Sequence, residues 1–137
     1  MTIDNAGKIS YEIMLWCGIV FGKSKYQDDY PMIIVKYELD KKYSYYGEYD
    51  PYYNTIFIYT KLNQTTLQLT NTVIHEYIHY LQSPIWLSRY INKYGRKVKK
   101  NPYEIAASFI AANFYKICER ELRSKIKRWT KKKQVKK

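Results

Sequence analysis

The sequence predicts an α+β fold: an N-terminal helix, a small three-stranded, mostly antiparallel sheet, then further helices. Three observations predict it. Apolar residues recur at helical spacing before residue 22. Runs rich in β-branched and aromatic residues, separated by turn signals, occupy residues 32–61. From Thr65 onward helical periodicity returns, twice behind a recognisable start signal.

Each element has its own residues. Ile9, Ile13, Trp16 and Val20 mark one face of a helix over roughly the first twenty residues, and Gly22 is a stop. After the polar connection KSKYQDDYP, MIIVKYEL (32–39) reads as a strand. KKYSYYGEY and NTIFIYTK read as two more, with Asp50-Pro51 as the turn and Gly47 as a bulge or strand end. In the third strand Ile56 and Ile58 alternate with Phe57 and Tyr59, so neither face is bare to water. Thr65 and Gln68 form a capping box that opens the next helix. Leu67, Ile74, Ile78 and Leu81 give it an apolar stripe, and Pro84 ends it near Gln82. A shorter helix follows and breaks at Gly95. Asn101 as N-cap, Pro102 at the first position and Glu104 at the third open the last helix. Ile105, Phe109 and Ala112 mark its packed early part, and its later turns, with Leu122, Ile126 and Trp129, are expected to face solvent.

The 137 residues suit one core, with 46% of them hydrophobic, so wholesale disorder is excluded. Residues 1–129 read as one domain and 130–137 as a basic tail. Net charge is +12, and nine of the basic residues lie between Arg123 and Lys137 with no acid among them. Such a tail is a solubilising surface or a weak contact for nucleic acid or an acidic protein. Cys17 and Cys118 fall in apolar patterns without C-x-x-C spacing, as buried reduced thiols do; a single long-range disulfide stays open. The apolar stretch from Ile9 to Phe21 is too short for a membrane span and has no cleavage-site logic. A cytoplasmic protein is expected.

The only two histidines are His75 and His79, with Glu76 between them: H-E-x-x-H. On a helix the two imidazoles share one face, about one turn apart, and can bind a single Zn²⁺. Glu76 leaves the helix about 100° around from His75, beside the metal rather than on it, where it can take a proton from water. A catalytic zinc needs a third protein ligand and an open position. No histidine remains, and the acids after Glu76 are Glu104, Glu119 and Glu121. Glu104, early on an apolar helix, is the best placed. Its competing role is the capping box of Asn101-Pro102-Tyr103-Glu104.

HEYIHYLQ, followed 25 residues after the second histidine by the glutamate of NPYEIAA, resembles the gluzincin metallopeptidases. Size and element order resemble their minimal single-domain members, the minigluzincins; similar short H-E-x-x-H proteins occur in bacteriophages. The resemblance implies zinc held by His75, His79 and Glu104, with Glu76 activating a zinc-bound water for peptide hydrolysis. It also implies an edge strand, NTIFIYTK or the strand before it, that binds extended peptide or protein substrate. Larger members place an aspartate on the glutamate helix to orient a ligand histidine. Here Ala107 and Ser108 stand there, leaving Ser108, Asn113 or a backbone carbonyl for that task. The oxyanion donor must be a tyrosine or arginine, and Tyr90, Tyr94, Arg89 and Tyr103 are nearest in sequence. The alternative function is a zinc-stabilised structural or binding protein, such as a phage virion or assembly component, whose basic tail contacts nucleic acid or an acidic partner. The location is then the host cytoplasm or the virion. Glu76 favours the peptidase, because a purely structural zinc has little use for it.

Overall fold

The computed structural model describes residues 1–39, 45–96 and 99–130. Apart from Thr130, the expected basic tail lies outside the described residues, as does most of the lysine-rich start of the second expected strand. The elements are α1 (Ile3–Phe21), β1 (Met32–Lys36), β2 (Gly47–Asp50), β3 (Thr55–Tyr59), α2 (Thr66–Leu81), α3 (Pro84–Tyr94) and α4 (Pro102–Thr130). The α+β class and the element order are those expected. Among the described residues no helix is long and apolar enough to cross a membrane.

The sheet is mixed rather than mostly antiparallel. Its order is β1-β3-β2, with β2 antiparallel to β3 and β1 parallel to it, Ile33 opposite Ile56 and Val35 opposite Ile58. The chain crosses from one edge of the sheet to the other after β1, then returns through a hairpin to the centre. Burial on both faces explains the placement: Thr55, Ile56, Ile58 and Tyr59 are all buried, as a central strand requires. The hairpin turns where Asp50 and Pro51 predict it. Asp50 Oδ1 accepts from the Tyr52 and Tyr53 N–H groups, and Asn54 takes a positive φ of 49°.

Helices α1 and α2 cover one face of the sheet, and α4 packs across both helices. On α1 the expected Ile9, Ile13 and Trp16 are buried, with Cys17, while Val20 is exposed. On α4 the buried set differs from the expected one. Ala107 and Ala111 are fully buried, whereas Ile105 and Phe109 face solvent. Small residues let the α4 backbone come close to α2, and the larger side chains two positions away fall outside the contact. The late turns of α4 are not solvent-exposed throughout. Cys118, Leu122 and Ile126 are buried, and Trp16 Nε1 donates to Glu121 Oε1 at 2.7 Å. Both cysteines are free thiols, and burial pushes each up in pKa.

One buried side chain fixes β2 against α2. Asn63 Nδ2 donates to the Tyr46 and Tyr59 carbonyls at 2.8 and 2.7 Å, and its Oδ1 accepts from Thr72 Oγ1 at 2.6 Å. Gly47 sits where the strand passes closest to the helix. A Cβ there would lie 2.7 Å from the Phe57 carbonyl oxygen and 2.9 Å from Thr72 Cγ2, so no larger residue fits without displacing backbone.

Candidate metal centre

α2 begins at the capping box expected of it: Thr65 Oγ1 accepts from Gln68 N–H, and the Gln68 side chain accepts from Thr65 N–H. It runs unbroken through His75, Glu76 and His79. α4 begins at Asn101, whose Oδ1 accepts from the Tyr103 and Glu104 N–H groups at 3.0 and 3.3 Å. The two helices pack so that Glu104 meets the histidines. Its Oε1 lies 2.9 Å from His75 Nε2 and 3.1 Å from His79 Nε2. The ligand atoms of His75, His79 and Glu104 all fall within 4.8 Å of one another, an arrangement that can hold a metal ion. Glu119 and Glu121 are engaged elsewhere, with Arg123 at 2.8 Å and Trp16 at 2.7 Å.

The donor set fits a metal on two counts. The first is spacing: two ligands at ~2.0–2.1 Å from a tetrahedral ion stand roughly 3.3 Å apart, close to the distances above. The second is the state of His79. Gln82 Nε2 donates to the Tyr103 carbonyl at 3.1 Å, which turns Gln82 Oε1 toward His79 Nδ1 at 2.7 Å. The Nδ1 nitrogen therefore donates, and Nε2 faces the cluster. That Nε2 is buried and, despite its nearness to Glu104, has no hydrogen-bond partner of acceptable geometry. His79 itself is 2% exposed. A buried ring nitrogen opposite a carboxylate is a place that a cation can occupy.

The electrostatics agree. Burial raises the Glu104 carboxyl, but the two imidazoles outweigh it and hold the group at about 2. Burial lowers the His79 imidazole, and the adjoining Glu104 and Glu76 carboxylates outweigh that and raise it. Burial pushes Glu76 up, with the imidazoles opposing. Its Oε1 is also buried and without a partner. The cluster thus attracts positive charge and keeps one carboxylate in reserve beside it.

A cavity of about 420 Å³ opens over the cluster. Tyr45, Tyr46 and Gly47 form its wall on the β2 side, and Gln68, Asn71 and Thr72 extend its floor along α2. Arg96, near Glu48 of β2, also lines the cavity. The bordering edge strand is β2, since β3 is central.

Of the residues proposed to orient a ligand histidine, Ser108 is in place, 3.4 Å from His75 Nδ1. Asn113 is not; its side chain bonds to the Phe109 carbonyl of its own helix. None of Tyr90, Tyr94, Arg89 and Tyr103 lines the cavity. They gather around α3 instead: Tyr90 packs on Tyr103 at 5.0 Å and Trp86 at 5.6 Å, and Arg89 lies over Trp86. Sequence reasoning missed Gln82 and Arg96. Gln82 carried a usable signal, being three residues after His79 at the end of one helix. Arg96 was hidden in a lysine-rich stretch.

No family model, curated protein or solved structure matches the chain. If the cluster binds a metal ion, Gln82→Leu should weaken that binding about 10–100-fold, because it frees the His79 ring and its tautomer. Competition against a chromophoric chelator measures this. An unchanged affinity would remove Gln82 from the site.

Proposed function

We propose that the protein is a small zinc metallopeptidase of gluzincin type, with His75, His79 and Glu104 as ligands and Glu76 as general base. The observation that carries this reading is the Glu76 carboxylate: buried, with Oε1 unpartnered, beside three converging ligand atoms. A bound zinc supplies Lewis acidity that polarises a carbonyl and makes water more acidic. Glu76 accepts a proton from the attacking water as the water oxygen bonds to the scissile carbonyl carbon. It then delivers that proton to the leaving nitrogen as the C–N bond breaks. Gln82 and Ser108 keep the two imidazoles aimed inward.

The peptide nature of the substrate is supported by β2. Among the described residues this strand pairs only with β3, so its other edge is available to an extended chain beside the cavity. Asn63 and the close approach at Gly47 hold that edge at a fixed height above α2. The test is zinc-reconstituted protein incubated with a mixture of unstructured peptides and followed by mass spectrometry. Cleavage that stops on chelation and returns with zinc is expected. Stoichiometric zinc without cleavage would instead favour the metal-stabilised binding protein.

A further inference from the structure

We propose that Arg96 anchors a carboxylate of the ligand, so that the cavity selects substrates bearing a free carboxylate close to the scissile bond. This deepens the hydrolase reading and rests on it for the identity of the reacting group.

Arg96 is the cation among the cavity-lining residues. Its ordinary explanation is an ion pair with Glu48, and the geometry makes that pair weak. Arg96 Nη2 stands 3.7 Å from Glu48 Oε1, and the Arg96 side chain is 37% exposed. That distance is beyond the 2.7–3.2 Å of an N–H···O hydrogen bond. Glu48 is meanwhile committed on its other side, accepting from Tyr59 OH at 2.6 Å. Among the described residues the guanidinium makes no hydrogen bond. Its planar fork of donors remains open on the cavity, in the form that matches a carboxylate bidentately.

The position of Arg96 is built. Gly95 ends α3 at a φ of +70°, a conformation suited to glycine, and turns the chain toward the cavity. Asn101, fully buried, donates from Nδ2 to the Gly95 carbonyl at 2.9 Å. The Oδ1 of the same side chain caps α4 at Tyr103 and Glu104. One amide therefore holds both the backbone preceding Arg96 and the backbone carrying the metal-side carboxylate. A mere solvating arginine needs no such fixture. The cavity volume lies within the range of small-ligand pockets, and Tyr45 and Tyr46 line it together with Arg96.

Two small hydroxamates test the proposal, one carrying a free carboxylate and the other the matching carboxamide. The hydroxamate anchors on zinc, so binding requires the metal but not turnover. Calorimetry on zinc-loaded protein of measured stoichiometry should give about tenfold tighter binding of the carboxylate form, as for a charge-assisted contact. Arg96→Gln should bind both forms alike, with the carboxamide affinity, zinc content and melting temperature unchanged. Arg96→Lys should recover part of the difference. Equal binding of the two forms by the wild type, or a preference that survives in Arg96→Gln, overturns the proposal and leaves the hydrolase reading standing. Failure of both probes on zinc-loaded protein overturns both. The source of the carboxylate is separated with short peptides on zinc-loaded Glu76→Gln. A preference lost on amidating the C-terminus identifies a terminal carboxylate. One lost on exchanging glutamate for glutamine identifies a side chain.

Discussion

Glu76→Gln is expected to lower peptide hydrolysis by about 10²–10⁴-fold, the range over which a positioned general base acts, with zinc still bound at one ion per chain. The amide has the shape of the carboxylate but cannot take a proton from water. The ligand atoms belong to other residues, so the metal should stay. The substitution also separates catalysis from stability. Glu76 is 6% exposed with an unpartnered Oε1, and its burial disfavours the charged form. In metal-free protein the neutral glutamine avoids that cost, so the melting temperature should equal or exceed that of the wild type. Steady-state kinetics, metal analysis and a thermal melt on one preparation check all three. A variant as active as the wild type would show that Glu76 is not the base.

His79→Ala is expected to abolish stoichiometric zinc binding and, with it, the thermal stabilisation expected of bound zinc. The imidazole belongs to α2 and the carboxylate it meets belongs to α4, so the metal would tie the two helices together. A ligand present at 1,000 times its dissociation constant stabilises by about 4 kcal/mol. For a chain of this size that is roughly 10–15 °C in melting temperature. The relevant reading is the difference between melts with zinc and with chelator. Removal of a buried ring leaves a void that lowers stability in both conditions, and the difference cancels it. A His79→Ala protein that still melts higher in zinc by the wild-type increment would exclude His79 as a ligand.

The site was more legible in the sequence than the packing around it. Register alone places His75 and His79 on one helix face, and Thr65-Gln68 and Asn101-Pro102 mark where the two relevant helices begin. These are local signals, written within a turn or two of the residues they govern. The contacts that hold the remaining site residues in place are remote in sequence. Asn63 joins two strands to α2, Gln82 reaches the Tyr103 carbonyl, and Arg96 depends on a side chain beyond the next loop. No periodicity reports such contacts. The parallel pairing of β1 with β3 was hidden for the same reason: neighbouring runs invite a meander, and only burial of both faces of β3 shows that it must be central. On α4 the large apolar residues drew attention to one stripe. The close approach of α2 selected the small residues of another, Ala107 and Ala111.

The bond from Gln82 to the Tyr103 carbonyl closes the chain on itself at the two ends of the α3 segment. What lies between is an excursion that buries a single α3 side chain, Leu87. Loop-closure entropy grows slowly, about 0.6 kcal/mol for each doubling of length, so the part of this excursion before Gly95 can be lengthened at little entropic cost. Its closing staple sits directly behind His79 and just before Glu104, and leaves their mutual distance untouched. The architecture thus behaves as a socket with an exchangeable cassette. A segment grafted between Ser83 and Tyr94 could bring a new wall to the cavity while the ligand triad below keeps its geometry.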